Sequence, residues 1–537
     1  MPDLGAAWSV LLQLFGKALE VRGMDDAPPP EERRIGGLAD DSRRVEQGTL
    51  FFAVPGLRHD GAAFAAEAVA RGACAVVAER ALDLPVPVFV VPSVRRAVAR
   101  LADAWYGEPS RRLCVVGVTG TNGKTTVTDL LSLCLEDDSR QVGSLGTIHY
   151  RLGPMRVRRR EVAAQPAYDG LESAEVEPAD DGEPIEKVVL ATHTTPDPIS
   201  LQRYLAEMVS RGVRAAVCEI SSHALDQHRA DDLRFDAAVF TNLTQDHLDY
   251  HGTMAAYGDA KARLFENLRA GALAVLPNDE PSAAYLFERL PQGVRLVTWG
   301  FGPATHEDAL HVRGRILAND LGGIRLAVET AEGTAEVALP LVGEHNVRNA
   351  LAALACAIGL GVGTLRAADA MSRARPVAGR LERVDGDRAG HAVFIDYAHT
   401  PDALRHVLQA LRPMTGGSLR VVFGCGGNRD SGKRPQMGRI AAELADHVVV
   451  TDDNPRFENP ELIRKEILTG IEGLERRRAE VEACADRRAA IEHVLGIALP
   501  GDTVVICGKG HERGQILGDA VLPFSDHEVV EEWLCSR

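Results

Sequence analysis

The segment RLCVVGVTGTNGKTTVTDLLSLCLE, residues 112–136, decides the fold of the middle of the chain. A β-branched strand leads through a glycine-rich turn into a helix, which is the order found in phosphate-binding loops. Gly120 and Gly123 let backbone N–H groups approach phosphate oxygens. Lys124 then neutralises the β- and γ-phosphates, and the Thr125 hydroxyl reaches Mg²⁺. The common eight-residue form has glycine where this chain has Val118. The turn predicts ATP binding by Gly120, Thr121, Asn122, Gly123, Lys124, Thr125 and Thr126.

The composition places limits on the class of protein. The chain has 537 residues, of which 45% are hydrophobic and 25% charged, so we expect a globular protein of three or four domains. The net charge of −16 argues against a nucleic-acid surface. Residues 1–23 predict one amphipathic helix without signal-peptide features, and no apolar run is long enough to span a membrane. Because the 9 cysteines are scattered singly, we expect reduced thiols in a cytoplasmic protein. Separately, we expect a monomer.

Strands ending in glycine- or aspartate-rich turns recur along the chain and predict an α/β fold with doubly wound sheets. Composition shifts predict three domains, at residues 1–110, 111–375 and 376–537. Residues 151–187 begin with a basic run and continue with an acidic one. We therefore interpret them as a solvated insertion or surface loop rather than a core element.

Further motifs occur in a fixed order along most of the chain. They include CEISSHALDQHR (218–229), TNLTQDHLDYHGTMAAYGDAKARLF (241–265), GEHNVRNALAA (343–353), DYAHTPDAL (396–404), DNPR (453–456) and GKGHE (508–512). Together with GTNGKTT, these motifs resemble the Mur ligase family, a relative of the folylpolyglutamate synthetases. The likeness is greatest to the branch that adds meso-diaminopimelate to UDP-N-acetylmuramoyl-L-alanyl-D-glutamate. This resemblance implies a uridine-nucleotide-binding α/β domain, a central ATPase domain and a C-terminal Rossmann-like domain.

The chemistry of this family requires metal ions, because ATP must phosphorylate a carboxylate and both reactants are anions. Glu219 follows a hydrophobic strand, where a Mg²⁺ ligand is useful. The resemblance implies that His247 binds a second Mg²⁺. It also implies that Lys261 is carbamylated by CO₂ and thereby becomes an anionic ligand. The implied catalytic residues are Lys124, Glu219, His247 and Lys261, and the implied Mg²⁺ ligands are Thr125, Glu219, His247 and Lys261.

The resemblance also implies binding residues for each substrate. For the UDP-N-acetylmuramoyl dipeptide these are Ser42, the turn 57–59, Thr194, Thr195, Ser221, Gln227 and Arg229. For the base and ribose of ATP they are Asn346, Asn349, Arg380 and the turn 396–399. For diaminopimelate they are Arg429, Asp453, Asn454, Pro455, Arg456, Gly508 and Glu512. Two residues depart from the family pattern and receive no role: Asn428 replaces an aspartate, and Pro277 replaces an asparagine.

Arg456 is the residue that favours diaminopimelate over lysine. Diaminopimelate is lysine with a second carboxylate at its far end, and a planar guanidinium can bind that carboxylate with two parallel hydrogen bonds. Two other classes are considered. A folylpolyglutamate-type ligase lacks the N-terminal unit and the DNPR motif, and a non-catalytic ATP-gated binding protein does not need Glu219, His247 and Lys261 together.

Overall fold

A computed structural model of the chain describes residues 4–22, 34–56, 60–137, 140–156, 184–191, 193–376, 379–384, 390–472, 474 and 478–536. The chain divides into two compact units. The first contains residues 1–313, 330–332 and 351–367, and the second contains 314–329, 333–350 and 368–537. Among the described residues, no helix is both long and apolar enough to cross a membrane.

The first unit begins with a small α/β sheet. Its strands, as far as they are described, have the order β1-β5-β4-β3-β2, and all neighbours are parallel except β1 and β5. The helix expected over residues 1–23 ends at Phe15, because Gly16 takes a left-handed φ of 54° and a short strand follows. The elements are α1 (Leu4–Phe15), β1 (Glu20–Arg22), β2 (Gly37–Ala39), β3 (Thr49–Phe52), α2 (Ala65–Ala70), β4 (Ala75–Ala78), β5 (Val88–Val90) and α3 (Val94–Trp105).

The same unit contains the sheet that carries the phosphate-loop motif. Among the described strands up to residue 300 its order is β13-β12-β11-β6-β10-β7-β8-β9, and the strands from β13 to β7 are parallel. The strands are β6 (Cys114–Thr119), β7 (Val142–Leu145), β8 (His149–Arg156), β9 (Pro184–Leu190), β10 (Ala215–Glu219), β11 (Ala237–Phe240), β12 (Leu273–Pro277) and β13 (Arg295–Gly300). The helices are α4 (Lys124–Leu135), α5 (Pro198–Ser210), α6 (Ser222–Asp226), α7 (Leu248–His251), α8 (Met254–Glu266) and α9 (Pro281–Phe287).

The interpretation of residues 151–187 as a solvated insertion was wrong at both of its ends. Residues 151–156 belong to β8, and residues 184–187 belong to the antiparallel strand β9. Leu152 is fully buried in the core of the central sheet beside Tyr150. The alternation of apolar and basic residues in YRLGPMR is typical of a strand with one buried face. This strand was not predicted from the sequence, because the run of basic residues was interpreted as a solvated segment. Residues 157–183 lie outside the described part of the chain.

The second unit contains a Rossmann-like sheet. In the described residues its order is β17-β18-β22-β19-β20-β21, and it is parallel except between β17 and β18. Its strands are β17 (Glu382–Arg383), β18 (Ala392–Asp396), β19 (Leu419–Phe423), β20 (His447–Val450), β21 (Glu480–Ala483) and β22 (Thr503–Cys507), followed by the hairpin β23 (Gly514–Leu517) and β24 (Ala520–Pro523). Its helices are α12 (Pro401–Leu411), α13 (Lys433–Leu444), α14 (Pro460–Glu472), α15 (Arg487–Ile497) and α16 (Asp526–Cys535).

The elements that follow β13 and precede β17 along the chain are β14 (Leu310–Asp320), β15 (Gly323–Thr330), β16 (Gly333–Leu339), α10 (Glu344–Gly359) and α11 (Thr364–Ser372), and β14 pairs in parallel with β13 from Leu310 to Arg313. In the parallel sheets of both units the carboxyl ends of neighbouring strands lie at one edge. The phosphate loop follows β6, Glu219 ends β10, and the DNPR motif follows β20. The α/β fold class predicted from the sequence is confirmed.

Candidate active site

The phosphate loop has the backbone that the sequence predicts. Gly120 and Gly123 have φ values of 147° and 85°, and α4 begins directly at Lys124. A Cβ atom at Gly120 would lie 1.9 Å from the Thr241 hydroxyl, so only glycine fits there. Lys124 Nζ donates to the carbonyls of Gly120 (3.0 Å) and Thr121 (2.8 Å), which folds this cation back over the loop. Thr125 and Thr126 occupy the first turn of α4.

Residues after β11 hold the phosphate loop in place. Thr121 N donates to Asn242 O over 2.9 Å, and the Thr241 hydroxyl donates to Asn122 O over 2.6 Å. The Thr121 hydroxyl bonds to Thr244 O over 3.1 Å. The sequence predicted the loop but not these partners, because they lie about 120 positions away along the chain.

Lys261 lies beneath the phosphate loop. Its side chain is only 2% exposed, and Nζ donates to Gly120 O over 2.7 Å and lies 4.3 Å from the centre of the Tyr257 ring. Burial, followed by the nearby Lys124 charge, lowers the pKa of Lys261 well below its ordinary value. A neutral amine is the form that can attack CO₂. The position and electrostatics of Lys261 therefore suit carbamylation.

Glu219 ends β10 opposite Val118 of β6, so it lies beside the strand that leads into the phosphate loop. It is 1% exposed, and its two carboxylate oxygens accept hydrogen bonds of 3.0 Å from the backbone N–H and hydroxyl of Thr147. Burial and then the Glu219 charge raise the pKa of Asp129 to about 7. The carboxylate of Glu219 and the nearby carboxyl group of Asp129 form a location that suits a divalent cation. Neither Asp129 nor Thr147 was predicted from the sequence.

His247 precedes α7 in a left-handed conformation, with φ 53°. Its ring lies 6.2 Å from that of Tyr257, the ring that Lys261 also contacts, and 4.8 Å from that of His223. The structure thus brings His247, Lys261 and the phosphate loop to the same end of the sheet. No group of three His, Cys, Asp or Glu side chains arranged for a metal ion occurs among the described residues.

The residues predicted to bind the dipeptide form a connected group beside Glu219. The Thr195 hydroxyl donates to Glu219 O over 2.8 Å and accepts from Ser221 N over 3.0 Å. Arg229 donates from Nη1 to Thr195 O (3.0 Å) and from Nη2 to Gln227 Oε1 (2.7 Å). Thr194 joins the group through a 3.2 Å bond from the Thr147 hydroxyl.

Ser42 lies in the N-terminal sheet region, where its hydroxyl donates to Glu67 Oε2 over 3.2 Å. Asp40 lies two positions before Ser42. Burial is the main cause that raises the pKa of Asp40 to about 6, and the negative charge of Asp197 is the second. Asp197 caps α5 next to the Thr194–Thr195 motif. The predicted uridine-binding turn 57–59 lies outside the described residues.

The DNPR motif forms a tight loop after β20. Arg456 has a left-handed φ of 54°; its N–H donates to Ile516 O (3.0 Å), and its carbonyl accepts from Gly518 N (2.8 Å). The half-buried guanidinium donates from Nη1 to Gly427 O over 3.0 Å. The hairpin β23–β24 therefore fixes the backbone of Arg456, and the loop after β19 orients its side chain. The sequence did not predict the contribution of the hairpin.

The remaining predicted acceptor residues surround this loop. Asp453 and Asn454 are almost fully buried, and Pro455 O accepts from Glu458 N over 3.1 Å. A Cβ atom at Gly508 would lie 2.6 Å from Asp453 Oδ2, so glycine is needed for this approach. Asn454 Nδ2 donates to Glu512 Oε2 over 2.8 Å.

The loop after β19 includes the exposed Arg429 and a residue to which the sequence gave no role. Asn428 takes a left-handed φ of 52°, and its side-chain oxygen accepts from Phe457 N over 3.0 Å. Asn428 therefore stabilises the residue that follows Arg456. Buried Arg434 pairs with Glu458 over 2.9 Å and donates to Gly426 O over 3.2 Å.

Two further interactions complete this unit. Arg487 is buried in a salt bridge with Asp526 (2.7 Å), and it donates to Cys507 O (3.0 Å) at the end of β22. Asn346 Nδ2 donates to Val342 O over 2.8 Å, and Asn349 Nδ2 donates to Asn346 Oδ1 over 3.1 Å.

The predicted turn 396–399 begins with a buried carboxylate. Asp396 accepts from Leu381 N over 2.6 Å, and burial raises its pKa to about 6. Arg380 lies 5.1 Å from the centre of the Tyr397 ring.

Comparison with known proteins identifies the family. Residues 34–106 match the model described as Mur ligase family, catalytic domain; residues 118–357 match Mur ligase middle domain; and residues 379–510 match Mur ligase, glutamate ligase domain. The chain belongs to the Mur ligase family. These matches confirm the three kinds of domain implied by the sequence motifs.

Individual members of the Mur ligase family match almost the whole chain. A protein of Gloeobacter violaceus named UDP-N-acetylmuramoyl-L-alanyl-D-glutamate–2,6-diaminopimelate ligase is 43% identical over 509 residues, covering 94% of each chain. A protein of Alkalilimnicola ehrlichii with the same name is 41% identical over 523 residues, covering 95% of this chain and 96% of that one. A solved structure with this name superposes with a TM-score of 0.65 at 31% identity, covering 95% of this chain and 96% of the other.

Proposed function

We propose that this chain is an ATP-dependent ligase that adds meso-diaminopimelate to the D-glutamate of UDP-N-acetylmuramoyl-L-alanyl-D-glutamate, a step in peptidoglycan precursor synthesis. The single observation that carries the proposal is the DNPR loop. There the cationic Arg456 lies in the same loop as the carboxylate of Asp453, and Asn454 of that loop binds Glu512. This combination matches an acceptor whose far end carries both a carboxylate and an ammonium group. The full-length similarity to diaminopimelate ligases supports the same substrate.

The phosphate loop holds ATP in this proposal. Lys124 and the loop N–H groups bind the phosphates, so that the D-glutamate carboxylate attacks the γ-phosphorus and ADP leaves. The acceptor amine then attacks the acyl carbon of the acyl phosphate, inorganic phosphate leaves, and an amide forms. Arg229, Thr194, Thr195, Ser221 and Gln227 bind and orient the dipeptide in this scheme, and Ser42 with the turn 57–59 binds its uridine nucleotide.

Magnesium ions fit the residues present. Glu219 is a buried carboxylate next to Asp129, and the described residues offer Thr125, His247 and Lys261 as further ligands once Lys261 is carbamylated. A metal bound there would neutralise charge between the two anionic reactants.

Several predictions from the resemblance stay part of the proposal. Asn346, Asn349 and Arg380 are the contacts for the base and ribose of ATP, and Arg429 and Gly508 complete the acceptor site. The domain boundaries are residues 1–110, 111–375 and 376–537. The protein acts in the cytoplasm as a monomer on small molecules.

A phosphate-release assay with the muramoyl dipeptide, Mg²⁺ and ATP tests the proposal. We expect phosphate release with meso-diaminopimelate and much less with lysine or with a glutamate acceptor. Turnover with the glutamate acceptor instead would favour a folylpolyglutamate-type ligase. Tight ATP binding without any acceptor-dependent turnover would favour a non-catalytic binding protein.

A further inference from the structure

Lys509 is a fully buried cation behind the acceptor loop. It lies two residues after β22, in the GKGHE motif, and its side chain has no solvent exposure. Its Nζ atom donates to Glu512 Oε2 over 3.0 Å and to Asn454 Oδ1 over 3.1 Å. An ammonium group removed from water requires such partners, and both of them belong to the proposed acceptor site.

These contacts fix the orientation of the Asn454 amide. Asn454 Oδ1 accepts from Lys509 Nζ and also from Ile516 N over 3.0 Å. If the amide were rotated by 180°, its NH₂ group would face two donors, so this orientation is excluded. The NH₂ group must therefore face Glu512, to which it donates over 2.8 Å.

The same contacts select one oxygen of Glu512 for a ligand. Oε2 accepts from both Asn454 and Lys509, whereas no hydrogen bond from the described residues reaches Oε1. The Glu512 side chain is 32% exposed, so a ligand can reach it. Lys509 thus leaves Oε1 as the carboxylate oxygen that is free to accept from an ammonium group.

The proposed acceptor residues and Lys509 together carry a net charge of +1, because Asp453 and Glu512 are anionic and Arg429, Arg456 and Lys509 are cationic. Diaminopimelate, with two ammonium and two carboxylate groups, is neutral overall, whereas lysine carries one net positive charge. Removing the charge of Lys509 makes the group less positive by one, so it would repel lysine less strongly relative to diaminopimelate.

We propose that Lys509 is a positioning and specificity-determining residue. It holds Asn454 and Glu512 in the orientation that receives the far ammonium group of diaminopimelate, and its charge disfavours lysine as an acceptor. This inference rests on the proposed function, because it requires that the loop containing Arg456 binds the acceptor.

The test compares Lys509→Met with Lys509→Arg in the full-length protein. The methionine variant should raise the KM for meso-diaminopimelate by about 10- to 100-fold, as expected when hydrogen bonds to charged groups are lost. The KM values for ATP and the nucleotide sugar should change less than twofold, and kcat/KM for lysine should rise relative to that for diaminopimelate. Lys509→Arg keeps the charge and should keep the preference against lysine.

A double variant separates charge from positioning. Lys509→Met with Glu512→Gln restores the wild-type net charge of the group, so the relative acceptance of lysine should return toward the wild-type value while the KM for diaminopimelate stays high. If Lys509→Met does not fold, the double variant buries no unpaired charge and can replace it, with the single variant Glu512→Gln as its reference. The positioning role of Lys509 is then the further rise in the KM for diaminopimelate from Glu512→Gln to the double variant.

The outcomes distinguish the two proposals. If the wild-type protein shows no turnover with diaminopimelate, the proposed function is wrong. If the wild-type protein uses diaminopimelate but the variants raise all three KM values equally, or leave the KM for diaminopimelate unchanged, Lys509 has only a structural role.

Discussion

Arg456→Ala is the substitution that most directly tests how the acceptor is chosen. The guanidinium is half-buried, and Nη1 is already held by Gly427 O at 3.0 Å, so it is preorganised for a carboxylate. A hydrogen bond to a charged group contributes about 1.5–3 kcal/mol, which corresponds to about a 10- to 150-fold loss in kcat/KM for meso-diaminopimelate. Alanine keeps the Cβ atom, so the backbone strain of the left-handed φ of 54° stays nearly the same.

The assay is phosphate release at varied acceptor concentration, with ATP and the nucleotide sugar saturating. Lysine should become a better acceptor relative to diaminopimelate, because no unpaired buried cation then opposes it. Arg456→Lys should recover little, since an ammonium group cannot form two parallel bonds to a carboxylate. Phe457→Ala is the matched control: this neighbouring side chain is 71% exposed and uncharged, so its removal should leave the preference intact. An unchanged ratio of diaminopimelate to lysine turnover in Arg456→Ala would refute the assignment.

Three further predictions concern the first unit. Lys124→Ala should abolish acyl-phosphate formation but leave binding of the nucleotide sugar nearly intact; an equal loss of both in one preparation would contradict the separate sites. Lys261→Ala should lose most activity and regain part of it when a short carboxylate such as formate is added, and full activity without that addition would exclude an essential carbamate. Burial, followed by Asp232 and Glu108, raises the pKa of Asp103 to about 7. Because the folded state favours the neutral acid, stability should fall as pH rises from about 4 to about 7 and stay level above. Asp103→Asn should therefore raise the free energy of unfolding at pH 8 but not at pH 4. The shift corresponds to roughly 4 kcal/mol, and halving it for the nearby Arg100 and for solvent screening leaves about 2 kcal/mol. Denaturant unfolding at both pH values measures the effect, and equal effects at the two would contradict the shift.

The parts of the site that the sequence predicted are those built from adjacent residues. The phosphate loop needs only a strand, a glycine-rich turn and a helix in succession, and Glu219 needs only a hydrophobic strand before it. Both kinds of information are local. Asp129 and Thr147 were missed for the opposite reason. Thr147 matters because it donates to Glu219, 72 positions away along the chain, and Asp129 matters because the Glu219 charge raises its pKa. An aspartate on a helix or a threonine after a strand otherwise indicates nothing specific.

Charge misled the sequence interpretation of residues 151–187. The basic residues around Leu152 indicated a solvated loop, although a strand with one buried face accommodates them on its other side. The sequence gave Lys509 no role, because only the fold places its ammonium group between Asn454 and Glu512. Asn428 also departs from the family pattern, yet it takes the left-handed conformation that asparagine tolerates well.

The buried salt bridge between Arg487 and Asp526 determines when the acceptor site can fold during synthesis of the chain on the ribosome. Arg487 donates to the carbonyl of Cys507, one residue before Gly508. Its salt-bridge partner Asp526 is the first residue of the helix α16. A nascent chain that has emerged from the ribosome as far as Glu512 therefore exposes Arg456 and Glu512, but Asp526, the anion that the Arg487 guanidinium requires, has not yet emerged. An unpaired buried charge destabilises by about 3–5 kcal/mol. The acceptor site can mature only after α16 docks, so ribosome stalling or proteolysis upstream of Asp526 yields an intermediate for chaperones or proteases rather than a partly active enzyme.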